Sequence, residues 1–79
     1  MKSYSVKFEI YVAITDTKLI TNYVDQGWKV LKHCENNSFM VTLYKWTTVT
    51  TERINLDTYI EAINSMQGDI VIHEYHENA

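Results

Sequence analysis

The segment from Tyr4 to Ile14 constrains the fold more than any other part of the chain. Apolar side chains occupy every even position of this segment: Tyr4, Val6, Phe8, Ile10, Val12 and Ile14. Successive side chains of a β-strand point to opposite faces, so a period of two predicts a strand with one face against a core. The odd positions then face away from that core. The chain must therefore build a sheet that is covered on one side.

Two helices are predicted after this strand. The first runs over Asp16–Gln26, where Asp16 supplies an N-terminal cap and Gly27 stops the helical spacing of apolar residues. The second begins near Asn55 and ends at Gly68. Its apolar residues recur at helical intervals, which predicts one buried stripe: Leu56, Tyr59, Ile60, Ile63 and Met66.

Three further strands complete the predicted order. They cover Trp28–Glu35, Phe39–Thr50 and Asp69–His76, and the first two are joined by a turn at Glu35–Ser38. The order strand, helix, strand, strand, helix, strand predicts one α+β domain over residues 1–79. We expect a ferredoxin-like βαββαβ arrangement, with an antiparallel sheet in the order 4-1-3-2 and both helices on one face.

The same alternation predicts which side chains are buried and which form the uncovered sheet face. We expect the core to include Phe8, Ile10, Leu19, Val24, Val41, Leu56, Ile60, Ile63 and Ile70. We expect the uncovered face to carry an aromatic and apolar patch: Tyr11, Met40, Tyr44, Trp46, Val71 and Tyr75. Lys45 interrupts the apolar face of its strand, so a bulge is considered there. A patch of this kind is typical of a binding surface.

The charge is unevenly distributed, although the net charge is only −3. Residues 1–50 carry six lysines and four acids, whereas residues 51–79 carry one arginine and six acids. This balance disfavours direct binding of nucleic acid and would suit a basic protein partner. We expect four acids to contribute to such a surface: Asp57, Glu61, Glu74 and Glu77.

The sequence offers no predicted catalytic or metal site and no cofactor motif. Both glycines are assigned to helix ends, which leaves no glycine-rich phosphate loop. His73 and His76 point to opposite faces of a regular strand, and His33 is expected at the other edge of the sheet. Cys34 is the single cysteine, so it forms no intramolecular disulfide. We expect a non-enzymatic cytoplasmic protein without a membrane span or a signal peptide.

Three uses of the patch remain open. The first is a protein interface, either in a homodimer or with another protein. The second is stacking of single-stranded nucleic acid, because aromatics on central strands of a βαββαβ sheet resemble RNA-recognition motifs in architecture. The segment Asn37-Ser38-Phe39-Met40 lacks the basic residue and glycine of their signature. The third is a small-molecule pocket between two sheets, as in dimeric α+β barrel proteins.

In general character the chain also resembles small inhibitors from phages and mobile elements. Such proteins, including anti-CRISPR-like proteins, tend to be single domains without an active site and with a charged or aromatic surface patch. The resemblance implies that an acidic surface blocks host defence or nucleic-acid-processing machinery.

Overall fold

Two long strands form the centre of the sheet. The computed structural model describes residues 1–31, 39–66 and 68–78. The elements within these residues are β1 (Lys2–Ala13), α1 (Thr17–Asp25), β2 (Lys29–Val30), β3 (Met40–Thr51), α2 (Arg53–Ser65) and β4 (Ile70–Glu77). All neighbouring strands are antiparallel, in the order β2-β3-β1-β4, which is β4-β1-β3-β2 from the opposite edge. The α+β class and the four-stranded antiparallel sheet are confirmed.

The predicted second strand continues into residues that are not described. Its described part is Lys29–Val30, and Leu31 donates one further backbone hydrogen bond to Thr42 at 2.9 Å. The predicted turn at Glu35–Ser38 lies outside the described residues, as do His33 and Cys34.

β1 and β3 pair without interruption from Lys2 opposite Thr51 to Ala13 opposite Met40. Strands of this length give the molecule a longest extent of 42 Å. The bulge considered at Lys45 is absent from this pairing. Instead, Lys45 lies on the helix-covered face opposite Phe8, and its Nζ donates to the carbonyl of Gln26 at 3.1 Å. A cation beside the carbonyls at a helix C-terminus is favourable, which explains how a lysine is tolerated here.

The end of α1 follows directly from Gly27. This glycine has φ +97°, a left-handed conformation that residues with a Cβ adopt at a cost. Its N–H donates to Val24 at 3.0 Å, and the N–H of Trp28 donates to Tyr23 at 3.1 Å. These two bonds form a Schellman motif. The rings of Tyr23 and Trp28 then meet edge to face at 5.5 Å, so the turn also anchors the core.

The helix starts differ in how well the sequence predicts them. Asp16 caps α1 as expected, because its side chain accepts a hydrogen bond from the N–H of Leu19 at 3.3 Å. α2 begins at Arg53, two residues before Asn55, and its cap residue Glu52 makes no side-chain capping bond. α2 ends at Ser65, three residues before Gly68.

The core consists of two clusters on the same face of β1. The cluster under α1 contains Ile10, Val12, Trp28, Val41 and Leu43, against which Ile20 and Tyr23 pack. The cluster under α2 contains Tyr4, Val6, Leu56 and Ile72, against which Ile60 and Ile63 pack. Both clusters use even-numbered residues of β1, so both helices cover one face and leave the other uncovered.

The predicted core is correct in part. Ile10, Val41 and Leu56 are buried, and Phe8, Ile60 and Ile63 are partly buried. Leu19, Val24 and Ile70 are instead exposed, at 38%, 44% and 37%. In α1 the reason is angular: Ile20 and Tyr23 lie at the middle of the apolar stripe, and Leu19 and Val24 flank it.

Candidate interaction face

The sheet face opposite the helices, here called the open face, collects side chains from three strands. Register places them together: Lys7, Glu9 and Tyr11 of β1, Met40, Tyr44 and Trp46 of β3, and Val71, Glu74 and His76 of β4. Five residues predicted for the patch therefore lie on one face: Tyr11, Met40, Tyr44, Trp46 and Val71. Tyr11 and Trp46 are 46% and 40% exposed, and Tyr44 is partly buried.

An ion pair lies at the middle of the open face. Lys7 Nζ is 3.5 Å from a Glu9 carboxylate oxygen, and the two side chains are only 17% and 14% exposed. Lys7 Nζ also lies 5.1 Å from the ring centre of Tyr44 and 6.0 Å from that of Trp46. Both distances suit cation–π attraction. The aromatic rings therefore shelter a charge that is already neutralised by its neighbour.

Tyr11 extends this arrangement along β1. Its hydroxyl donates to Glu9 Oε2 at 3.3 Å. Burial raises the pKa of the Tyr11 phenol above its ordinary value of 10.0, and the charge of Glu9 and the hydrogen bond raise it further. Tyr11 therefore stays protonated and presents a neutral ring at ordinary pH.

Trp46 of the central strand β3 reaches across β1 to the edge strand β4. Its ring lies 5.4 Å from the ring of His76, on the far side of β1. Towards the other edge, Trp46 lines a pocket of about 190 Å³ together with Gly27, Lys29, Tyr44 and Lys45. The pocket combines two aromatic rings with two cationic side chains at the edge of the sheet.

Tyr75 does not join the open face, which corrects the prediction from alternation. The pairing of β1 with β4 shifts by one residue, because Lys7 lies opposite Glu74 while Phe8 lies opposite Ile72. His73 is the extra residue of this bulge. Beyond it the faces exchange. Tyr75 consequently packs against the core cluster under α2.

The helix side gives Tyr75 a partner of its own. Arg53 Nη2 donates to the Tyr75 hydroxyl at 2.9 Å, and the guanidinium lies 5.4 Å from the ring centre. Arg53 also forms an ion pair with Asp57 at 3.3 Å. The electrostatic interaction with Tyr75 and then the negative charge of Asp57 raise the pKa of Arg53. This cluster ties α2 to β4.

The four predicted acids do not share a surface. Glu74 lies on the open face opposite Lys7, whereas Asp57 and Glu61 lie on α2. Glu77 lies beyond the bulge and forms an ion pair with Lys2 at 2.9 Å. The hydrogen bond and charge of Glu77 raise the pKa of Lys2. The acids are therefore divided between the two sides of the sheet, and two of them have cationic partners.

The candidate metal-ligating side chains do not come together in one site within the described residues. Within residues 1–31, 39–66 and 68–78, no three His, Cys, Asp or Glu side chains are placed to hold a metal ion. His73 is the bulge residue, and His76 contacts Trp46. In the same part of the chain, no helix is long and apolar enough to cross a membrane.

Two sets of side-chain contacts in this structure are not evident from residue type alone. The Lys7–Glu9 pair could have been noticed, since residues two apart on a strand share a face. The side chain of Asn64 bonds both backbone groups of Ile72, at 2.9 Å and 2.7 Å, and no local pattern signals this contact.

Comparisons with family models, with curated proteins and with solved structures find no match to this chain.

Proposed function

We propose that this protein is a non-enzymatic protein-binding module that self-associates through its open face. The observation that carries the proposal is the grouping of Tyr11, Tyr44 and Trp46 around a neutralised ion pair on an uncovered sheet. Aromatic residues are enriched at the centres of protein interfaces, because they bury much area at little entropic cost.

The electrostatics of the open face support this use. Burying an unpaired charge in an interface is costly, but Lys7 already has Glu9 beside it. Tyr11 donates its hydroxyl proton to the same carboxylate. A second copy that covers these residues would therefore leave no charge without a partner.

We also propose that the fold is the ferredoxin-like βαββαβ type. β1 and β2 both lie antiparallel to β3, so they run parallel to each other and are joined through α1. β3 and β4 are related in the same way through α2 and flank β1. Two interleaved units of strand, helix and parallel strand define that arrangement.

The test compares matched tyrosine variants by sedimentation equilibrium. Tyr11→Ala and Tyr44→Ala should each weaken self-association by about tenfold, which corresponds to about 1.4 kcal/mol per site. Tyr59→Ala is the control, because Tyr59 is 37% exposed on α2, on the other side of the sheet. Equal association of all three variants would reject the open face as the interface.

Binding of single-stranded nucleic acid is the second candidate. It is favoured by the pocket in which Lys29 and Lys45 accompany Tyr44 and Trp46, since cations and stacking rings are the features that bind such strands. Trp28 is buried and Trp46 is exposed, so quenching of tryptophan fluorescence by oligothymidylate or oligouridylate would report on Trp46. Quenching that is lost in Trp46→Phe and falls with salt would favour this candidate.

An acidic surface of a host-directed inhibitor would be distinct from the open face. It would lie on the helix side with Asp57 and Glu61, because the sheet separates Glu74 from them. A partner of the open face would meet Glu74 without the other two.

A further inference from the structure

β3 has a long edge that the described residues leave unpaired. β1 pairs with its whole length on one side, but on the other side β2 pairs only with Tyr44 and Leu43. Leu31 adds one bond to Thr42. Within the part of the chain that the structure describes, no strand pairs with Lys45–Thr51 on this side.

Two hydrogen bonds identify the backbone groups that face outward. Ile14 donates to Phe39 at 2.8 Å across β1 and β3, so odd residues of β3 bond towards β1. Thr42, an even residue, accepts from the opposite side. The register has no shift, so Trp46, Thr48 and Thr50 direct their N–H and C=O groups away from β1. No hydrogen bond from the described residues reaches these groups.

The opposite edge of the sheet is protected. Both outward backbone groups of Ile72 are bonded by Asn64, and the bulge at His73 interrupts the strand. Asn78 donates to Ser3 at 2.8 Å and closes the end of this pairing. Bulges and covered groups are the usual means of preventing edge-to-edge association. The segment Trp46–Thr51 has no bulge and no charged or proline residue.

We propose that the unpaired edge of β3 pairs with the same edge of a second copy. A two-fold axis at Thr48 places Thr48 opposite Thr48 of the second copy, and Trp46 opposite Thr50 of the second copy. In this antiparallel register every outward N–H and C=O of the three residues meets a partner. A self-complementary contact of this kind closes as a dimer.

The side chains fit the same register. Threonine and valine are favourable strand residues, and threonine pairs across strands stabilise antiparallel sheets. The contact ends at Trp46 and Thr50, because Lys29 of β2 already occupies the position opposite Tyr44 on this edge.

The resulting dimer contains one continuous eight-stranded sheet, formed from two sheets of four strands. An axis perpendicular to the sheet keeps both open faces on the same side. The edge contact stands on backbone geometry and is independent of the proposed function of the open face. If both are correct, edge pairing doubles the aromatic surface available to a further partner.

Charge pairing at the axis tests the proposal. In light scattering the wild-type mass should be at least twice the chain mass of 9.3 kDa. Thr48→Lys alone and Thr48→Glu alone each place like charges opposite one another, so the edge dimer should be lost. A mixture of the two variants should restore it, since lysine then meets glutamate. Thr58→Lys, on the outer surface of α2, should keep the wild-type mass.

Repeating these measurements in the Tyr44→Ala background separates the edge from the open face. The edge dimer should survive Tyr44→Ala and disappear when Thr48→Lys is added. Hydrogen exchange gives a second measurement: the amides of Trp46, Thr48 and Thr50 should be protected in the dimer and lose that protection in Thr48→Lys.

Several results would overturn the proposal. A wild-type protein that stays at 9.3 kDa at all concentrations has no second copy on this edge. A dimer that persists in both single Thr48 variants, or a mixture that stays monomeric, places the contact elsewhere. Protection of the three amides by an added extended peptide, but not by concentration, would assign the edge to a different protein.

Discussion

Lys7 and Glu9 lie on a sheet face that no helix covers, yet their side chains are 17% and 14% exposed. Tyr44 and Trp46 provide the cover, because their rings lie within about 6 Å of Lys7 Nζ. An ordinary surface ion pair contributes about 0.2–1 kcal/mol, since water screens both charges. Here aromatic groups replace part of that water. The Lys7–Glu9 pair can therefore lose its remaining solvent without leaving either of its charges unpaired.

The titration of Tyr11 tests this arrangement. Glu9→Gln removes the negative charge, so the pKa of Tyr11 should fall while staying above 10.0 because burial remains. A folded-state pKa above the unfolded one stabilises the fold below about pH 10, and this contribution is lost as the pH rises through the folded value. Tyr11→Phe should therefore reduce the loss of stability above pH 10.

The measurement is the tyrosine resonance assigned by comparison with Tyr11→Phe, followed by NMR against pH. Glu61→Gln is the control, because Glu61 lies on α2 and away from Tyr11. An unchanged pKa of Tyr11 in Glu9→Gln would show that Glu9 does not act on the phenol in solution.

At the scale of elements, periodicity predicts the faces of regular strands and the ends of helices. It does not predict how a bulge exchanges the faces of a strand. β1 follows strict alternation, so its faces were predictable from Tyr4 onward. The end of α1 was predictable too, because Gly27 supplies the conformation that the turn requires. The faces of β4 exchange at His73, and no residue type near it signals a bulge. Tyr75 was misplaced for that reason.

Asn64 joins α2 to the outer edge of β4. Its substitution therefore tests how much this contact between helix and strand contributes to stability. Asn64→Ala removes two bonds to Ile72 and should lower the free energy of unfolding by about 1–3 kcal/mol. Asn55→Ala is the matched control on the same helix. Its unfolding free energy should be unchanged or slightly higher, because alanine favours helix. Urea unfolding measures both, and equal values would show that Asn64 does not hold β4.

At the scale of the molecule, the sheet separates surfaces that the sequence suggests are joined. The acids of residues 51–79 are close in the chain, but Glu61 lies on the helix side and Glu74 on the open face. Composition reports how many charges a segment carries and not which face receives them. The sequence therefore predicted most of the aromatic patch, which follows from alternation, and did not predict the distribution of acids.

Charge reversal at these two positions tests which side of the molecule associates. Glu74→Lys places a cation opposite Lys7 on the open face, so self-association through that face should weaken about tenfold, with most of the effect at low salt. Glu61→Lys makes the same change of charge on α2 and should leave association unchanged. Sedimentation equilibrium at two salt concentrations measures both, and urea unfolding checks that each variant is folded. Equal weakening by both reversals would indicate that the net charge, rather than the open face, controls association. No effect of Glu74→Lys at low salt would place the contact on another surface.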